Sequence, residues 1–265
     1  MKWAGGKTGL VPELKSLLPK SWNNYHEPMI GGGAFFFSLE NTGKSFLSDC
    51  NQELINAYQV VRDNLEELLL DLESHKHCKD YYYALRAEDR LESYSDWSPV
   101  KRASRFLYLN KTCFNGLHRV NSKGQFNVPF GDYKNPNIVN REVLEACSRK
   151  LQNTELSLSG FENIIEKVKP DDLVYFDPPY VPLNKTSSFT SYTRDGFTLD
   201  DHLKLIQTMH ELKKKKVKAL LSNSYTEFIL GASKGLKVHL VQARRAINSK
   251  SAGRTPVNEV IISNY

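Results

Sequence analysis

The sequence predicts an α/β fold, a largely parallel sheet with helices that is interrupted by a segment of different character. Two observations predict it. Short apolar runs alternate with stretches of helical periodicity, the pattern of βα units rather than of a sandwich or a bundle. The runs are also unevenly spread, two before residue 50 and five after residue 150, so the residues between must form an insertion.

Taken in order, the apolar runs predict strands at Tyr25–Met29, Ser45–Ser48, Glu155–Leu158, Leu173–Phe176, Ala219–Ser222, Val238–Gln242 and Val260–Ser263. From Gln52 to Leu72 apolar residues recur at helical spacing, and Asp80–Arg90 and Val100–Asn110 read as two more helices. His118–Phe130 reads instead as a hairpin around Asn121-Ser122-Lys123-Gly124. Tyr81-Tyr82-Tyr83 reads as helix packing. The chain shows no internal repeat and no low-complexity linker.

With 265 residues, the chain suffices for one large domain or two small ones, and 40% hydrophobic with 25% charged residues excludes collagen, disordered and coiled-coil classes. No apolar run approaches a membrane helix, and Met1–Leu10 lacks the apolar stretch of a signal peptide, so a cytoplasmic protein without membrane contact is expected. Cys50, Cys78, Cys113 and Cys147 fit neither a metal knuckle nor a disulfide framework, and reduced thiols are expected. His75, His77 and Cys78 have no second ligand pair at a finger spacing, so no metal is expected. The net charge of +6 favours an anionic partner. Lys213–Lys216 reads as a solvated helix end facing the helix dipole.

The chemistry concentrates where strands end. Asp177-Pro178-Pro179-Tyr180 closes the run Leu173–Phe176, at a sheet's carboxyl edge, where α/β proteins build their sites. Methylating an amino nitrogen on a nucleobase requires acceptors that draw the delocalised lone pair out of the ring. Two prolines remove N–H donors and stiffen the turn, leaving the Asp177 carboxylate and the Pro178 carbonyl to accept, with the Tyr180 ring free to stack on a base. Upstream, Glu27-Pro28-Met29-Ile30-Gly31-Gly32-Gly33 leaves a strand and opens a helix, as a loop must where backbone approaches a ligand closely. Asp49 ends the next strand, where an acid can accept from ribose hydroxyls. Lys2-Trp3-Ala4-Gly5-Gly6-Lys7 could clamp a ligand carboxylate. There is no G-x-x-x-x-G-K-[ST] loop for ATP hydrolysis, and no Pro-Cys pair for methylation at a cytosine ring carbon. The polar stretch Lys185–Gly196 is either a flap over the substrate or an ordinary surface loop.

Lys-Trp-Ala-Gly-Gly-Lys at the start, Glu-Pro-x-x-Gly-Gly-Gly, Ser-Asp-x-Asn at 48–51, Phe-Asn-Gly-Leu-x-Arg at 114–119, Phe-Asn-Val-Pro-Phe-Gly at 126–131 and Asp-Pro-Pro-Tyr run in the order of the Dam-type DNA adenine-N6 methyltransferases, the D12 class, which this chain resembles. The likeness is nearest to the methylase of the DpnII restriction system. It implies a Rossmann-like S-adenosylmethionine-dependent methyltransferase sheet, residues 1–55 and 141–265, with an inserted helical and β-hairpin target-recognition domain at 56–140. It implies S-adenosylmethionine as cofactor, double-stranded DNA as partner, methylation of adenine N6 in GATC with base flipping, and a possible cognate restriction endonuclease in the same system. Oligomeric state is not legible.

By that resemblance Asp177, Pro178 and Tyr180 are the catalytic turn, and Trp3, Lys7, Gly31, Gly33, Asp49, Phe161 and Asp177 hold the cofactor. Phe114 looks like an aromatic that enters the base stack, flanked by Asn115 and Leu117, and Arg119 looks like the guanine reader. Lys2, Pro129 and Tyr133 complete the DNA surface. Met29 stands where relatives usually carry phenylalanine, and Asp132 where several carry arginine. Cytosine-N4 methylation, protein glutamine methylation and a catalytically silent DNA-binding regulator are the alternatives.

Overall fold

Leu173–Phe176, an uninterrupted apolar run, lies at the centre of a seven-stranded sheet in the computed structural model, which describes residues 3, 5–40, 43–182, 196–243 and 257–265. The strands are β1 (Tyr25–Pro28), β2 (Ser45–Asp49), β3 (Thr154–Leu158), β4 (Leu173–Phe176), β5 (Lys218–Ser224), β6 (Lys237–Ala243) and β7 (Val257–Ser263), in the order β3-β2-β1-β4-β5-β7-β6. β1 pairs in parallel with both β2 and β4, whereas β7 runs antiparallel between β5 and β6. Chain order reverses between β1 and β4, and at such a switch point the two loops leaving the strands part and open a crevice.

β1 and β4 are buried throughout, as expected of strands covered on both faces. Along β4 the side chains alternate: Leu173 and Tyr175 join one apolar cluster, Val174 and Phe176 the other. The first cluster is closed by helices α1 (Val11–Ser16), α2 (Ala34–Ser38), α3 (Gln52–Asp63) and α7 (Arg141–Leu151). The second is closed by α8 (Ile164–Lys167), α9 (Leu199–Lys214) and α10 (Glu227–Ala232). The lysine run ends α9, as its charge pattern predicts.

The middle of the chain forms α4 (Leu65–Glu73), α5 (Lys79–Ala87) and α6 (Pro99–Thr112). α6 joins two cores: Ala103, Phe106 and Leu107 enter the first sheet cluster, while Tyr108 and Leu109 pack with Tyr82, Cys113, Phe126 and Val128 in a third. Tyr82 is fully buried there and donates to the Val128 carbonyl at 2.9 Å.

Two local expectations change. The helix expected over Gln52–Leu72 is two helices, because Asn64 leaves helical geometry (φ −132°, ψ 40°) between α3 and α4. The hairpin over His118–Phe130 closes its turn, with Gly124 N–H donating to Asn121 O at 2.9 Å, but forms only isolated bridges, Val120 with Phe126 and Cys113 with Phe130. The ladder stops for want of donors: the Leu117 N–H goes to Phe114 O at 3.3 Å and Pro129 has none to give, while the Phe126 N–H, directed away from Val120, goes to the Asp89 carboxylate at 2.8 Å. Lys185–Gly196 lies outside the described residues apart from Gly196. No helix among the described residues is long and apolar enough to cross a membrane.

Candidate active site

β1 ends in backbone that only a few residue types adopt. Met29 and Ile30 both donate to the Ser48 carbonyl of β2, at 2.8 and 2.9 Å, and the chain then turns through positive φ at Met29 (90°), Gly31 (47°) and Gly33 (66°). At Gly31 this requirement is steric as well. A Cβ there would stand 2.8 Å from Trp3 Cδ1, so the indole lies directly against the glycine. The Tyr58 hydroxyl donates to the Gly31 carbonyl at 2.8 Å, and the Gly31 N–H donates to Asp49 Oδ2 at 3.0 Å. Asp49 Oδ1 accepts the Asn51 N–H at 2.9 Å. Burial pushes the Asp49 carboxyl up, opposed by these backbone donors. Trp3, Gly31, Gly33 and Asp49 thus meet in one cradle at the end of β1 and β2.

Across the switch point, Asp177 leaves β4 with a side chain that retains 20% exposure. Lys7 Nζ forms an ion pair with its Oδ1 at 2.8 Å, and that buried oxygen has no hydrogen-bond partner beyond it. Burial pushes the Asp177 carboxyl up and the Lys7 cation opposes this. The same ammonium donates to Gly5 O at 2.5 Å and sits 4.2 Å from the centre of the Tyr180 ring. Tyr180 donates to Glu259 Oε2 at 3.2 Å. Pro178 is buried, and the exit of the turn is pinned to β5: Val181 N–H donates to Asn223 Oδ1 at 3.2 Å, and the Ser224 hydroxyl donates to Val181 O at 2.7 Å. Glu27 on β1 is a second buried carboxyl nearby. Burial above all, with the Asp177 charge adding to it and the Tyr25 hydroxyl donating at 2.6 Å opposing, raises it to about 8.

The insertion presents a separate surface. Phe114 is 51% exposed although its N–H is tied to Pro129 O at 2.9 Å. Asn115 turns the chain through φ 56°, and Leu117 follows half-buried. Arg119 is exposed, and its guanidinium is held from one side: Nε donates to Asn127 Oδ1 at 2.7 Å and Nη2 to Asn127 O at 3.4 Å. Pro129 is exposed and Tyr133 half-buried beside Gly131. Phe161 follows β3 at the same sheet edge as Asp49, but its ring is buried against Phe197, 6.0 Å between centroids. Lys2 lies outside the described residues.

Three side chains that motif reading passes over hold these parts in place. His118 stacks on Trp3 with centroids 5.2 Å apart and planes 18° apart, Asn51 Nδ2 approaches His118 Nδ1 at 3.5 Å, and Asn127 orients Arg119. Each sits inside one of the sequence motifs, beside a residue of more conspicuous chemistry. His75 is fully engaged, Nδ1 with the Tyr81 hydroxyl at 2.6 Å and Nε2 with the Ser104 hydroxyl at 2.9 Å, and His77 Nε2 donates to Tyr133 O at 2.9 Å. Neither is turned toward a common ion.

Comparison with known proteins agrees with this arrangement. Residues 3–247 match the family of D12 class N6 adenine-specific DNA methyltransferases. The chain is 43% identical to the type II methyltransferase M1.LlaDCHI of Lactococcus lactis subsp. cremoris, covering 100% of this chain and 94% of the relative. It is 40% identical to the type II methyltransferase M.MjaIII of Methanocaldococcus jannaschii, over 100% and 98%. It is 33% identical to the DNA adenine methylase of Escherichia coli K12, over 98% and 93%. Adenine is therefore separated from the cytosine and protein alternatives, and an enzyme from a silent regulator. The chain belongs to the D12 class of N6 adenine-specific DNA methyltransferases.

Proposed function

We propose that this enzyme transfers the methyl group of S-adenosylmethionine to adenine N6 within GATC in double-stranded DNA, acting on a base flipped out of the duplex. The observation that carries the reading is Asp177 Oδ1, a buried carboxylate oxygen at a sheet switch point with no hydrogen-bond partner beyond its ion pair with Lys7, whose cation opposes the upward push of burial. The cradle fits the cofactor. Gly31 leaves room against Trp3 that a Cβ would fill, Asp49 retains lone pairs for ribose hydroxyls, and Lys7 carries an ammonium for a carboxylate. When bound, S-adenosylmethionine supplies an electrophilic methyl whose bond to sulfur breaks as the bond to N6 forms.

The chain's own residues prepare the amine. Asp177 accepts one N6–H and the Pro178 carbonyl the other, localising the lone pair on nitrogen, and the N6 proton leaves toward Asp177 as the new bond forms. Tyr180, fixed by Glu259 and topped by Lys7, offers its ring to the flipped adenine. Positioning of two bound substrates accounts for most of the acceleration. Residues 56–140 act as the recognition domain and the remainder as the catalytic domain. Phe114 fills the gap left by the extruded base, with Asn115, Leu117, Pro129 and Tyr133 as further DNA contacts, Lys2 adds a cation for DNA, and Arg119 reads guanine through its free edge. Phe161 borders the adenine side of the cofactor. The setting is the cytoplasm, and a restriction endonuclease of the same specificity is the expected companion.

Expression in a host lacking GATC methylation tests this. Plasmid from cells carrying the parent gene should resist a nuclease blocked by GATC methylation and become sensitive to one that requires it. Asp177→Ala should reverse both results while the folded protein still binds DNA. Residual activity within about tenfold of the parent, about 1.4 kcal/mol of barrier, refutes the role of Asp177.

A further inference from the structure

His118 touches both halves of the site. Its neighbour Arg119 is exposed, whereas its imidazole turns inward, 9% exposed, between Phe106 and Phe126, with ring centroids 5.4 and 5.7 Å away. On its flat side it stacks on Trp3, the wall of the Gly31 cradle. At its edge, Nδ1 faces Asn51, whose Oδ1 is already committed to the Leu54 N–H at the start of α3. The amide nitrogen must therefore point at the histidine, which makes Nδ1 the acceptor and puts the ring proton on Nε2. The Asn51 N–H in turn holds Asp49 Oδ1. Burial first, then the Arg105 cation, lower the imidazole to about 4, so the ring is neutral near pH 7.

We propose, resting on the functional reading above, that His118 is a positioning residue whose stack on Trp3 couples occupation of the cofactor cradle to engagement of the target sequence by Arg119. The ring is clamped between two phenylalanines, so a backbone shift at residues 117–119 on contacting DNA cannot be absorbed locally. It moves the imidazole, and with it the indole that packs on Gly31. Close-packed interiors transmit such shifts rather than damping them. Coupling of this kind is reciprocal: the cofactor tightens cognate DNA by the same factor as DNA tightens the cofactor.

The test is a binding cycle that does not depend on turnover. Affinity for the non-reactive cofactor analogue sinefungin is titrated with and without a GATC duplex, and the ratio of the two is compared across variants. The parent should show a ratio of at least about fivefold, and a duplex with one altered base pair should bring it near one. His118→Leu fills the same apolar space without a flat ring and should bring the ratio near one with the GATC duplex. His118→Phe restores a flat ring and should recover most of it. A parent-like ratio in His118→Leu, or equal loss in both variants, overturns the inference. A parent that binds both ligands with a ratio of one overturns the inference alone, whereas a parent that binds neither refutes the functional reading and this inference with it.

Discussion

Lys7 Nζ and Asp177 Oδ1 stand 2.8 Å apart although the residues are 170 positions distant in the chain, and the pair sets the charge at the end of β4. The carboxyl is pushed up by burial and held down by this cation. Lys7→Met therefore raises the Asp177 pKa further. Because the ionised form accepts from the amine, activity should be lost at a higher pH as the solution is acidified. The expected result, in single-turnover rates at saturating cofactor between pH 5 and 9, is an acid limb displaced upward in Lys7→Met and unmoved in Lys7→Arg. An unmoved limb in both variants removes the electrostatic role.

Glu27 makes a prediction about stability. Its folded pKa is about 8, against about 4.3 for a carboxyl in an unfolded chain. The folded state thus holds the proton more tightly, so the contribution is fully present below about pH 4.3 and is lost at about 1.4 kcal/mol per unit as pH rises toward the folded value. Glu27→Gln removes the titration. Urea unfolding of parent and variant should diverge in favour of glutamine from pH 5 to 8 and run parallel above. A constant difference across that range contradicts the assignment.

Asp49 accepts backbone N–H groups on both oxygens, from Gly31 and from Asn51. In the variant Asp49→Asn the new amide would have to turn its NH2 group toward one of those donors. A ribose hydroxyl would then meet an NH2 group in place of a carboxylate oxygen, and we expect sinefungin binding to weaken by about 1–3 kcal/mol with DNA binding nearly unchanged, the cost of leaving that hydroxyl unpaired. Calorimetric titration measures both. Equal weakening of the two would relocate the ribose contact.

Arg119 and Asn127 should act as a unit. Loss of a bidentate guanine contact costs about 1–3 kcal/mol on the cognate site alone, so Arg119→Ala should relax discrimination at one base pair of GATC. Asn127→Ala leaves the guanidinium in place but unguided, and a smaller loss at that same base pair is expected, about 1 kcal/mol. Methylation rates on GATC and its single-substituted variants decide. A uniform slowing on every substrate would instead mark Arg119 as a phosphate contact.

What the sequence determined by itself is local and periodic. The strands, the helical insertion, the glycine turn after β1 and Asp177-Pro178-Pro179-Tyr180 after β4 are all legible, because apolar period, glycine and proline act on the residues that carry them. Tertiary structure alone decided which of these meet. Pairing of β1 with β4 brings Glu27 and Asp177 to adjacent strand ends, and no periodicity encodes that adjacency. The same holds for His118 against Trp3, Asn127 against Arg119, and Asp89, which takes the outward-facing N–H of Phe126. A side chain's partner depends on where a distant backbone lies to within an ångström or so, since a hydrogen bond or a ring stack fails beyond that tolerance, and only the packed fold sets positions so finely.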